Sequence, residues 1–190
     1  IALGDLYYSQ NEYDKAIECY DKILQKEINK NTIHLISTTL THKAKALIKI
    51  KEYERSMNLI DSSLYMSIRD FNDSLQVINY SLKANIYDSI NDFESAKRYY
   101  IQSAKLSYSI DDFNNCGENM FSLAYLHQKN GKFDEAIKIL QIICDSTEKY
   151  KSLLRGATRD LHCFPSSCNS SSFLNQSSRQ SFRLSSYQCG

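Results

Sequence analysis

Four histidines and six cysteines hold whatever nucleophilic or metal chemistry this 190-residue chain could perform. A metal pair on a helix needs two ligands at i and i+4. His34 and His42 are eight residues apart near one face of a helical segment, and neither has an acid or a cysteine at that spacing. His162, Cys163 and Cys168 offer three zinc donors, in a spacing that suits no common finger. His127 falls in an apolar packing column and reads as a core side chain rather than a base. Cys19, Cys116 and Cys144 stand singly in helical segments, as buried reduced thiols do, which leans towards a reducing compartment. No P-loop, Gly-rich dinucleotide fingerprint or G-x-S-x-G elbow occurs. Acid pairs such as Asp111-Asp112 and Asp134-Glu135 read as helix-start charges on a wet surface. The expectation is a chain without catalytic, cofactor-binding or metal residues, and not an enzyme.

The elements that would carry these side chains recur at a fixed interval. An aromatic, an acid, one further residue and a small residue appear as Tyr13-Asp14-Lys15-Ala16, Tyr53-Glu54-Arg55-Ser56, Phe93-Glu94-Ser95-Ala96 and Phe133-Asp134-Glu135-Ala136. The copies are 40 residues apart, a period that marks a stacked repeat array. Twelve residues before each small residue stands another: Gly4, Ala44, Ala84 and Ala124. Two positions on come Leu6, Ala46, Ile86 and Leu126. Four after the first small column come Tyr20, Ile60, Tyr100 and Leu140. Two antiparallel helices pack closely only where small side chains sit at the approach of their axes, so these columns predict helix pairs. Apolar spacing and turn residues place helices at 1–10, 13–28, 32–50, 53–68, 73–90, 93–109, 115–130 and 133–149, with no strands. Asn31-Thr32, Asn72-Asp73 and Asn114 are the expected caps between pairs.

Composition divides the chain in two. Residues 1–154 contain 16 Lys, 3 Arg and every Ile, whereas 155–190 contain no Lys or Ile but 4 Arg, 10 Ser and the only Pro, Pro165. The first part carries a charge of −2 and the second +3. Residues 151–190 therefore read as a Ser-rich irregular tail, either disordered or read in a shifted frame from near residue 155. An overall charge of +1 makes no case for nucleic acid contact or an anionic membrane. The longest apolar cluster, Ala136 to Cys144, is too short to span a bilayer. The chain opens at Ile1 inside a helical pattern and reads as a fragment.

These columns resemble the tetratricopeptide repeat family across about residues 1–150. Repeat one carries Leu3, Gly4, Tyr7, Ala16 and Tyr20. Repeat three carries Ala84, Tyr87, Ala96 and Tyr100, and repeat four Leu123, Ala124, His127, Ala136 and Leu140. Repeat two, with Ala44, Leu47, Ser56 and Ile60, is the most degenerate. The period exceeds the family's usual 34, and the closing Pro is missing. The resemblance implies an all-α, right-handed α-α superhelix of four helix pairs, about 1–30, 31–70, 71–111 and 112–150. It also implies a concave groove lined by the first helix of each pair. Family positions carried over are Asp5, Tyr8 and Ser9; Thr41, Lys45 and Lys49; Ser81, Asn85 and Asp88; and Phe121, Tyr125 and Gln128. A clamp for a terminal carboxylate would use Asp5, Lys45, Asn85 and Tyr125, where Asn85 fits but Asp5 would repel the anion.

The function so implied is a non-catalytic protein- or peptide-binding scaffold from a larger bacterial regulatory or sensor protein. The alternative is a ligand-gated module controlling a DNA-binding or kinase domain outside this sequence. The expected partner is a protein or peptide in the groove, with no nucleic acid, membrane span or cofactor. Uncovered apolar residues on the last helix imply self-association. The expected compartment is the cytoplasm, or alternatively a sensor region outside a bacterial inner membrane.

Overall fold

Three-residue turns decide this architecture. The computed structural model describes residues 1–27 and 32–157, with side chains described for 1–26 and 32–145. Among them lie α1 (Ala2–Ser9), α2 (Tyr13–Glu27), α3 (Ile33–Lys49), α4 (Tyr53–Arg69), α5 (Asp73–Ser89), α6 (Phe93–Ser109), α7 (Phe113–Lys129) and α8 (Phe133–Ala157), and no strand. Helices α3 to α7 are each 17 residues long. Each of six turns has one residue with positive φ: Asn11, Lys51, Phe71, Asn91, Asp111 and Gly131. From Lys51 onward these stand 20 residues apart, so the backbone repeats at half the period of the side chains.

All six turns make the same pair of hydrogen bonds. Asn11 N–H donates to Tyr8 C=O at 3.0 Å and Glu12 N–H to Tyr7 C=O at 2.9 Å. The same bonds recur at Asp111 (to Tyr108) and Asp112 (to Ser107), and at Gly131 (to Gln128) and Lys132 (to His127). This left-handed helix stop satisfies two orphan carbonyls. The residue after it is also the N-cap of the next helix, because Glu12 C=O accepts from Ala16 N–H at 3.0 Å and Asp92 C=O from Ala96 N–H at 3.0 Å. One residue thus closes one helix and opens the next. Asn72, Asp92 and Asp112 add side-chain caps to Leu75, Ser95 and Asn115 N–H. The cap of α7 is Asp112, not Asn114, and α7 starts two residues earlier than the apolar spacing predicts. Thr32 precedes α3 without a side-chain cap bond, and Asn31 lies outside the described residues.

Lys51 and Phe71 occupy left-handed backbone that favours Gly or Asn, at a cost of roughly 1–2 kcal/mol each. Phe71 is 89% exposed, so packing does not offset that cost. Phe71→Gly is expected to raise stability by about 1 kcal/mol, read as a higher urea midpoint; an unchanged or lower midpoint would refute the assignment.

The small columns meet where neighbouring helices approach. Ala16, Ser56 and Ala96, and facing them Ala44 and Ala84, are fully buried. A Cβ on Gly4 would come within 2.4 Å of the Tyr20 ring, so only glycine fits there. Consecutive helices pack from α1 through α7, giving one compact unit over Ile1–Thr147. A serine hydroxyl stitches each middle pair: Ser63 donates to Ser37 C=O and Ser103 to Val77 C=O, both at 2.8 Å. Ion pairs staple successive pairs, Lys43 to Asp21 and Lys83 to Asp61, each at 2.5 Å.

The outer columns depart from expectation at both end helices. Ala46, Ile86 and Leu126 are buried, but Leu6 is exposed, because this position packs on the preceding pair's second helix and α1 is the first helix here. Leu140 is likewise exposed, with Ile137 and Ile142 beside it on α8. Cys144 is exposed rather than buried, and Cys19 and Cys116 are half-buried. Helix α8 runs to Ala157, beyond the expected 149, so 151–157 are helical rather than irregular. Residues 158–190 lie outside the described residues, and with them His162, Cys163, Cys168 and most of the proposed tail.

Candidate functional site

The first helices of successive pairs approach one another, α3 against α5 and α5 against α7, and so form the inner face. The twelve positions carried over to that face do not behave alike. Ser9, Lys49, Asn85, Phe121, Tyr125 and Gln128 are exposed. Asp5, Tyr8, Lys45, Ser81 and Asp88 are half-buried. Thr41 is buried and lines no open surface. Its hydroxyl donates to Asn79 Oδ1 at 2.9 Å and lies 2.8 Å from Ser63 Oγ, inside the junction of α3, α4 and α5. Ser9 spends its hydroxyl on Leu6 C=O at 2.7 Å, and the Tyr8 ring packs edge-on against Tyr13 with centroids 5.5 Å apart.

Two polar clusters recur at every second pair. Tyr20 Oη donates to Asp5 Oδ1 at 2.7 Å, and Tyr100 Oη donates to the equivalent Asn85 Oδ1 at 2.6 Å. Burial pushes both phenols up, helped by the Asp5 carboxylate beside Tyr20 and by the Asp88 charge near Tyr100, so both remain donors at any physiological pH. His42 Nδ1 reaches the same Asp5 oxygen at 2.6 Å, across from α3. Asp5 is therefore a hydrogen-bonded carboxylate rather than a free one, and it keeps the negative charge that its position brings to this face. Between these clusters, burial pushes the Lys45 ammonium below the usual lysine range, partly countered by the Asp5 charge. Asp88 is engaged by Lys129 Nζ of α7 at 2.8 Å.

His42, Tyr20, Tyr100 and Lys129 bond to these positions without being among the twelve carried over. Lys129 falls one residue beyond the column containing Asp88 and Gln128, so a search of adjacent columns for opposite charges could have found it. His127 is buried with Nδ1 unpartnered, its ring edge-on to Phe93 at 5.3 Å. Its pKa is lowered by burial first and then by Lys97 and Lys132, against smaller opposing effects of Glu135 and Glu94. The folded state thus resists a proton that the unfolded chain accepts near pH 6.5. Stability conferred by neutral His127 is complete above that pH and is lost as pH falls below it. Between pH 7.5 and 5.5 the urea midpoint should fall, and His127→Leu should flatten the fall. An identical slope in the variant would refute this role. Among the described residues no group of three or more His, Cys, Asp or Glu could hold a metal, and no helix is long and apolar enough to cross a membrane.

Tetratricopeptide repeat profiles match residues 1–29, 77–109 and 118–146. No curated protein matches the chain. Among solved structures, the nearly identical TPR-like repeats assigned to a kinesin light chain of Podosopora anserina superpose with a TM-score of 0.66 at 14% identity, over 78% of this chain and 73% of that one. BtubC (BKLC) from P. vanneervenii gives 0.67 at 16% identity, over 88% of this chain and 66% of that one. MamA gives 0.50 at 14% identity, over 80% and 98%. At these identities the likeness establishes the fold.

Proposed function

Because the chain belongs to the tetratricopeptide repeat family, whose fold serves as a protein-interaction scaffold, we propose that its inner face takes a peptide segment of a partner protein. The observation that carries this is the pair Phe121 and Tyr125. They stand one turn apart on α7, 42% and 55% exposed, where the other aromatic among the twelve positions, Tyr8, is half-buried. Exposed aromatics of this kind supply large contact area at low entropic cost. Two first helices away, on α3, Lys45 and Lys49 form a cationic patch with no carboxylate bonded to either among the described residues. Helix axes 8–10 Å apart set the two patches about 20 Å from each other. The ligand that fits is an extended or helical peptide with a carboxylate at one end of that span and an apolar side chain at the other. Asn85 lies between them, exposed, and its amide group can bond the peptide backbone.

The test compares partner recovery by the full chain and by a Tyr8→Ala/Asn85→Ala/Tyr125→Ala variant with an unchanged helical spectrum. Loss of even one aromatic anchor is expected to weaken binding about 30-fold or more. Equal recovery of the same partner by both proteins would remove the groove from consideration.

A further inference from the structure

A second surface lies at the edge where one helix pair passes to the next, at the opposite ends of α5 and α7 from Asn85 and Tyr125. Phe71 projects there, in a backbone conformation that its side chain disfavours. The other described residues at this turn position are Asn, Lys, Asp or Gly, so the fold does not require an aromatic. One turn further along the array, Tyr108 is 62% exposed and packs edge-on with Phe113, centroids 6.1 Å apart. Between the two turns is a depression of about 450 Å³ whose walls include His34, Phe71 and Ile110 together with Asp70, Asp73 and Asp112.

Charge defines what this depression can hold. Asp112 is committed to capping α7, and Asp73 accepts from Gln76 Nε2 at 3.0 Å. Asp70 and Asp111 are exposed and make no ion pair among the described residues. The nearby cation, Arg69, lies over the Tyr65 ring at 5.7 Å. Aromatic surface is therefore rimmed by negative charge that is unpaired among the described residues, which attracts a cation and repels a carboxylate.

We propose that the edge formed by residues 70–73 and 108–113 docks a partner-protein segment in which an arginine or lysine adjoins an aromatic or aliphatic side chain. The apolar side chain packs on Phe71, and the cation pairs with Asp70. This site is separate from the inner face, so a partner could engage both.

The probes are two peptides, Ac-Leu-Arg-Phe-Leu-amide and its counterpart with Glu in place of Arg, titrated into the isotopically labelled full chain at two salt concentrations. Amide shifts are expected at residues 68–74 and 108–113 with the Arg peptide, at least fivefold weaker with the Glu peptide and weaker at high salt. Phe71→Asn suits the left-handed turn and should leave the fold intact while abolishing those shifts. The Tyr8/Asn85/Tyr125 triple alanine variant should leave them unchanged. Equal response to both peptides, survival of the shifts in Phe71→Asn, shifts confined to the inner face, or no saturable shift at this edge would each overturn the proposal.

Discussion

Asn79→Ala should cost the array about 2–3 kcal/mol, a fall of roughly 5–10 °C in melting temperature, although the residue touches neither solvent nor any proposed ligand. Asn79 is fully buried, accepts from Thr41 at 2.9 Å and donates to Ser63 Oγ at 2.9 Å. Ser63 has one proton and gives it to Ser37 C=O at 2.8 Å, leaving its lone pairs to receive the Asn79 amide. Three helices are tied at one point, and every member is satisfied. Truncation removes two buried hydrogen bonds, each contributing about 1 kcal/mol, and leaves a void. One repeat later the same column holds Asn119, whose Oδ1 is buried without a partner. Its Nδ2 donates to Asn115 C=O at 2.7 Å, but the desolvation of Oδ1 is uncompensated, so Asn119→Leu should be near neutral. Two asparagines 40 residues apart should thus respond unequally. Similar destabilisation by both substitutions would mean that burial alone, and not the bonded network, sets the cost.

That contrast marks what was legible in the sequence and what was not. The small residues at 16, 56, 96 and 136 appear in the linear pattern because steric exclusion acts at every repeat, and all four are buried. Helix positions follow for the same reason. Partners do not, because they depend on residues distant in sequence. Tyr20 reads as a bulky filler, yet its hydroxyl is placed by Asp5, fifteen residues away across the hairpin. Thr41 reads as a polar groove residue by position, but it faces inward to Ser63 and Asn79. The turns show the opposite failure. Gly131 signals a left-handed stop, whereas Lys51 and Phe71 adopt it against preference, imposed by the hydrogen bonds of the surrounding turn. The 20-residue backbone period is hidden because first and second helices bury different side-chain columns.

Ala96→Leu should have the larger local effect, about 3 kcal/mol or more, because no space exists for the three added carbons. Ala96 is fully buried in a cluster with Ala84, Tyr100, Leu123 and Leu126, so the added atoms press on α5, α6 and α7 together. Ser56 offers the control. It occupies the same column, and its hydroxyl donates to Ala44 C=O at 3.0 Å, so Ser56→Ala removes one hydrogen bond without adding volume and should cost only about 1 kcal/mol. In a repeat array each unit contacts only its neighbours, so the wedge at Ala96 should not spread evenly. Hydrogen exchange is expected to accelerate through α5, α6 and α7, while α2 and α3 keep their protection because the Ala16, Tyr20 and Ala46 cluster lies two junctions away. Uniform acceleration from α2 to α7 would show that the repeats unfold as one cooperative block. Unchanged exchange in α5 to α7 would show that the small column is not where the helices meet.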